Sequence, residues 1–274
     1  MQKEIEEVLK YFARFSYAPS LDEIYTFLPI KVTKEKLRQE FKKNTLPQYS
    51  NFLKKKAERK RYSQNKIKKI STYLKILSFF PQIKLIGLSG TMAMDNAEKD
   101  DDIDLFIIAA KKRLWTARFI SLVIAQVLGL RSQRGETKDK VCLNLFFDEG
   151  DMEVPDSKKT LFVGHEILQM KPLIDKNCIY TRFLWVNRWV FKIFPNAKRN
   201  LKFKIQNLEL KSETTKTKPT YYQQFVSQSW LWSIIELFLR LIQLPIIKRN
   251  KTGMRVSETQ LWLFRKDFEK EIKR

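Results

Sequence analysis

The chain has 274 residues, enough for about two domains, and its 43% hydrophobic content with only 7 Gly and 9 Pro excludes collagen-like or broadly disordered compositions. Fifty-three Lys and Arg against 30 Asp and Glu give a net charge of +23, which suits a polyanionic partner such as nucleic acid, a nucleotide or an anionic membrane, although a lysine-rich genome inflates the same count without any ligand. Two cysteines, Cys142 and Cys178, are too few for a disulfide framework and have no metal-binding spacing, which fits a reducing cytoplasm.

The N-terminal MQKEIEEVLKYF scatters charge where a signal peptide needs an apolar core. Ile5, Val8, Leu9, Phe12 and Phe15 predict a helix over residues 2–15 with one buried face. Pro19 and Ser20 open a second helix with Asp22 and Glu23 in its first turn, and Thr33 caps a third that runs to about Lys43. Three short helices within residues 1–50 suggest a winged-helix-like unit or a plain helical packing subdomain.

Residues 51–80 read as a basic linking helix. From Lys54 to Lys75 there are ten Lys or Arg and one acid, Glu58, with an apolar stripe at Ile67, Ile70, Leu74 and Leu77. Its charge is either a solvated face or a contact for phosphates.

Pro81 ends that helix. Ile83–Leu88 is a predicted strand, Gly90-Thr91 a turn, Ile103–Ala109 a second strand, residues 112–130 a helix and VCLNLFF, 141–147, a third strand. Strand, turn, strand, helix and strand over residues 81–155 predict an α+β fold with a mixed sheet.

Residues 156–274 read as a C-terminal helical domain. Its predicted helices are Thr160–Met170, Cys178–Phe194, the apolar stretch Phe225–Ile247 and a final one from about Val256, with KSETTKTKPT, 211–220, as a polar connection. Phe225–Ile247 approaches the length of a membrane span, but Glu236, Arg240 and Gln243 interrupt it at helical spacing and Pro245 is expected to end it. A packed amphipathic helix without stable membrane insertion is expected; a membrane-surface role for the region of Trp230 and Trp232 is the composition-based alternative.

The chemistry concentrates in GTMAMDNAEKDDDIDLFIIA, residues 90–109. Alternation along a strand sends Asp102 and Asp104 to one side and Ile103 and Leu105 to the other. Two carboxylates that close repel unless a cation lies between them, and hard oxygen ligands favour Mg²⁺. Upstream, Gly90 lets the backbone approach a phosphate and Thr91 offers a hydroxyl.

LSGT…DDIDLFII, over residues 88–108, resembles the nucleotidyltransferase superfamily typified by DNA polymerase β. More loosely, the order of the helical front end, this motif, CLNLFF, HEILQMKPL and NRWVFKIFPN is similar to uncharacterised bacterial nucleotidyltransferase-domain proteins. The resemblance implies a polymerase-β-like mixed sheet, Asp102 and Asp104 as catalytic metal ligands for two Mg²⁺ ions, and Gly90 and Thr91 as holders of the NTP phosphates. It implies transfer of a nucleoside monophosphate to an acceptor hydroxyl with release of pyrophosphate, and RNA or DNA joins the candidate partners through the basic surface.

The resemblance is incomplete at one point. Active members carry a third carboxylate on a neighbouring strand, but VCLNLFF offers only Cys142 and Asn144 or their alternates. Asn144 is a weak oxygen ligand that cannot take up a proton at neutral pH, while Glu166, Asp148 and Glu149 are spatial substitutes to be tested. A degenerate module that binds nucleotide or nucleic acid without turnover is therefore the rival. His165, the only histidine, is expected at a surface or packing position, Trp189 in packing, and Cys142 as a small buried hydrophobe.

Overall fold

The computed structural model describes residues 1–41, 49–132, 136–198, 230–249 and 255–264. Helices α1 (Gln2–Ala13), α2 (Leu21–Phe27) and α3 (Lys34–Phe41) form the front end. Ser20 closes a capping box on α2: its Oγ accepts from the Glu23 amide at 3.3 Å, and its own amide donates to Glu23 Oε2 at 2.7 Å. The three helices bury Ile5, Phe12, Ile24, Phe27 and Leu37 in a cluster continuous with the sheet, so they share its core. The expected 211–220 connection and the end of the third helix lie outside the described residues.

The basic segment is two helices, α4 (Tyr49–Lys69) and α5 (Ser71–Ser78), with a break at Ile70. Strand β1 (Ile83–Leu88), the single turn α6 (Gly90–Ala93), β2 (Ile103–Ala109), α7 (Leu114–Val127) and β3 (Val141–Asp148) follow in the predicted order.

The segment after residue 156 departs from the helical expectation. Helix α8 (Leu161–Gln169) is followed by strand β4 (Lys171–Asp175), which pairs antiparallel with β1. The predicted 178–194 helix is split into α9 (Ile179–Val186) and α10 (Val190–Ile193), because buried Asn187 turns its amide group to the Met152 and Phe183 carbonyls. Val256 begins no helix: β5 (Arg255–Val256) and β6 (Gln260–Trp262) form a hairpin, and β6 pairs with β3. Short apolar runs such as KPLID and QLW have no period of their own, and pairing with a waiting sheet edge decides them.

The result is α+β with a six-stranded mixed sheet in the order β4-β1-β2-β3-β6-β5. Only β2 and β3 are parallel, joined by the α7 crossover. Both faces are covered. Ile103, Leu105 and Ile107 of β2 pack on one side with Tyr73, Leu77, Leu114 and Trp115, while Phe106 and Ile108 pack on the other with Phe183, Val163 and Phe12. Asp102 and Asp104 share the second face by alternation, at the start of β2, where both are half-buried.

The apolar stretch forms α11 (Trp230–Arg249), which runs through Pro245 instead of ending there. Its orientation also reverses the expectation. Glu236 and Gln243 turn inward to α7, whereas Leu237, Phe238 and Leu241 are each more than half exposed.

Candidate functional site

The loop that delivers the acids is held by α4. Its buried residues are polar: Arg59, Ser63 and Lys66. Arg59 donates to the Ser16 carbonyl at 2.8 Å and Asn96 Oδ1 at 3.1 Å, and pairs with Glu98. Lys66 donates to the Lys99 and Asp101 carbonyls at 3.1 and 2.7 Å and to Asp139 at 2.7 Å. Part of the basic helix is thus neither a solvated face nor free for phosphates. It fixes the backbone one residue ahead of Asp102, the rigid mounting a ligand pair needs.

The acids of the run have separate duties. Asp100 pairs with Lys138 at 2.8 Å, which holds its carboxyl below the usual range. Asp101 accepts from the Glu98 amide at 2.8 Å and from the Thr91 hydroxyl at 3.2 Å. Asp102 and Asp104 form no ion pair among the described residues, despite the net charge of +23. Burial raises both carboxyls above the ordinary range, and for Asp104 the charges of Asp102 and Glu166 add to it.

Register puts Cys142 of β3 directly opposite Asp104, and one ligand atom each from Asp102, Asp104 and Cys142 lies within 4.8 Å of the others. Cys142 is part of the site, contrary to its expected role as a small buried hydrophobe. Burial, then the charges of Asp104 and Asp102, push its thiol far up, so it stays protonated and hydrogen-bonds Asp102. Asn144 lies two residues along the same face, with its amide nitrogen 3.5 Å from Asp104 Oδ1. It acts on Asp104 as a donor, which turns its nitrogen, not its carbonyl, to the acids.

The turn adjoins the pair. Gly90 adopts φ +59°, and a Cβ there would lie 3.1 Å from Asp104 Oδ2, so glycine is needed both for the left-handed backbone and for the close approach. The Gly90 amide donates to Glu166 Oε2 at 3.0 Å. Glu166 therefore braces the turn from buried α8, and burial raises its carboxyl. Thr91 is near but engaged with Asp101, so its hydroxyl must exchange partners to meet a phosphate.

The other candidates lie elsewhere. Asp148 accepts the Lys112 and Gly150 amides, and Glu149 accepts the Lys111 amide, at the opposite end of β3, roughly 20 Å along the strand from Cys142. His165 is buried between the rings of Tyr11 and Phe27, with centroids 3.7 and 4.1 Å away, and burial holds it neutral. It is a packing residue joining α8 to the front helices. Trp189 is partly buried against the same core, as expected of packing.

No protein-family model matches the chain, and no curated protein or solved structure matches it. The chemistry of the site therefore rests on its own residues. Two neighbouring carboxylates with no ion-pair partner among the described residues could hold one hard divalent cation, whose shell waters and phosphate oxygens would complete. A second ion finds no third carboxylate in this cluster, where a protonated thiol and an amide nitrogen take the neighbouring positions.

Proposed function

We propose that the chain is a Mg²⁺-dependent nucleotidyltransferase of the DNA polymerase β type, which moves a nucleoside monophosphate from an NTP to an acceptor hydroxyl and releases pyrophosphate. The observation that carries this is the Asp102–Asp104 pair, without a cationic partner among the described residues and pressed against the left-handed Gly90 turn. The net charge of the chain is +23, yet no described Lys or Arg serves these groups as a counter-ion.

Asp102 and Asp104 hold the cation, and Gly90 with Thr91 lines the triphosphate. When bound, Mg²⁺ neutralises charge on the phosphate oxygens and on the leaving pyrophosphate. The chain's own contribution is positioning: Lys66 and Arg59 fix the loop and Glu166 fixes the turn, so that the carboxylates and the phosphates meet in one geometry. The front helices are read as the winged-helix-like unit and the sheet as the polymerase-β-like core. Exposed Lys54, Lys55, Lys60 and Arg61 on α4 offer phosphate contacts to RNA or DNA, in a cytoplasmic setting.

A second reading, a degenerate module that binds nucleotide without turnover, is favoured by one specific feature. Cys142 and Asn144 occupy the flank where a third carboxylate would complete a two-ion centre, and Glu166 already takes the Gly90 amide.

Calorimetry with ATP, CTP, GTP and UTP in Mg²⁺, followed by measurement of released pyrophosphate, separates the two. Turnover lost in Asp102→Asn and Asp104→Asn supports the enzyme; Mg²⁺-dependent binding with no pyrophosphate supports the module. Absence of any Mg²⁺-dependent nucleotide binding refutes both.

A further inference from the structure

Helix α11 is built inside out for water. Glu236, its one acid, accepts from the Trp115 and Thr116 amides at 2.7 and 2.9 Å and from the Thr116 hydroxyl at 2.6 Å. Those amides open α7, whose own N-cap residue, Arg113, supplies no side-chain cap, so Glu236 caps one helix from another. One helical repeat further on, Gln243 accepts from Arg118 at 2.6 Å and donates to the Trp115 carbonyl at 3.0 Å. The inward contact thus combines these polar bonds with the buried Leu239 and Ile247.

The outward face is apolar. Ile234, Leu237, Phe238 and Leu241 are exposed, and the neighbouring α7 adds Phe119 at 43% and Val127 at 80% exposure. Contiguous exposed apolar surface of this kind marks an interaction site. Its ends are marked too. Trp230, 70% exposed, stands at the start of α11, and Lys248 and Arg249 stand at its end, seven residues beyond Leu241 and Ile242 and so on the same outward face.

We propose that the outward face of α11, continued by α7, docks on an anionic lipid surface. Aromatic residues at one end and Lys and Arg at the other suit the boundary between acyl chains and charged headgroups, and the net charge of +23 draws the protein to acidic lipid. The helix lies in the plane of the interface and does not span it. Twenty residues reach about 30 Å, the thickness of a hydrocarbon core, but Glu236 and Gln243 tie α11 along α7, and α7 packs on the sheet. Spanning would carry those polar groups into hydrocarbon.

The test is flotation of the full-length chain with vesicles of phosphatidylcholine alone and of phosphatidylcholine mixed with phosphatidylglycerol. Binding to the mixed vesicles is expected, weakened at least tenfold by high salt or by Lys248→Glu with Arg249→Glu, and abolished by Phe238→Ser with Leu241→Ser. All of these side chains are exposed, so thermal melts of the variants should match the parent's. A chain that stays with buffer in both mixtures overturns the proposal. So does a concentration-dependent dimer, seen by sedimentation and dispersed by Phe238→Ser with Leu241→Ser, in a chain that does not float, because that result assigns the face to a second copy.

Discussion

Replacing Asp104 by Asn should stabilise the protein when no divalent cation is present. Above the raised pKa of Asp104, about 8, both acids are ionised, and two unit charges within 4.8 Å repel by at least about 3 kcal/mol at an effective dielectric of about 20. Both side chains retain some contact with water, which screens the pair and leaves about 1–2 kcal/mol. The Asn144 contact to residue 104 survives, because an Asn carbonyl oxygen also accepts. For a chain of this length the gain corresponds to an increase of roughly 2–8 °C in Tm. The pH dependence has a fixed sign. The Asp104 carboxyl is raised in the folded state, so this group's contribution to metal-free stability is fully present at acid pH and is lost as pH rises through that elevated value. The advantage of Asp104→Asn should vanish below roughly pH 4, where the group is protonated both folded and unfolded, and open toward neutrality. Scanning calorimetry in EDTA and in millimolar Mg²⁺ measures both effects. Magnesium should raise the wild-type Tm and leave that of Asp104→Asn nearly unchanged, reversing their order. If Asp104→Asn is the less stable protein in EDTA at neutral pH, or if Mg²⁺ shifts both equally, the pair is not a charge-strained cation site.

Gly90→Ala should cost about 1–2 kcal/mol, from the left-handed φ of +59° and the Cβ approach to Asp104 Oδ2, and should weaken Mg²⁺ binding in a titration followed by Tm. Lys66→Met should cost about 2–4 kcal/mol in urea melts, since it leaves Asp139 and two backbone carbonyls without their buried donor, and should speed amide exchange around residues 99–102. Glu166→Gln keeps an acceptor for the Gly90 amide but removes a charge beside Asp104, so ATP should bind about tenfold more tightly by calorimetry. A loss of ATP or Mg²⁺ affinity in Glu166→Gln would instead make Glu166 part of the cation site.

What the sequence makes legible here follows from period and local chemistry. The strands at 83–88, 103–109 and 141–148 announce themselves by apolar runs, and Ser20 with Glu23 by a cap that needs no tertiary partner. The acidic pair is legible because alternation in a strand is local geometry. What escapes is set by contacts between distant segments. KPLID and QLW become strands only because β1 and β3 have free edges. Lys66 looks like any other lysine of a basic helix until the 99–101 carbonyls close over it. Cys142 looks apolar among Val, Leu and Phe, and only the parallel register of β3 on β2 brings its thiol to Asp104. The same register was the one signal able to reveal it, since residues 142 and 144 share a face and the β2–α7–β3 crossover fixes which strand lies beside Asp104.

The acidic run in so basic a chain has a physical division of labour. Asp100 meets Lys138, and Asp101 ties the loop to Thr91 and Glu98, so these acids serve the backbone. Lys66, the nearest buried cation on α4, is spent on carbonyls and Asp139 instead of on Asp102 or Asp104. The two acids are thus left adjacent on a rigid strand with no cationic partner among the described residues, beside a turn that only glycine fits. On the proposed function, the instability this stores is free energy that a divalent cation would recover on binding, so stability in EDTA and affinity for Mg²⁺ should move in opposite directions when either acid is neutralised.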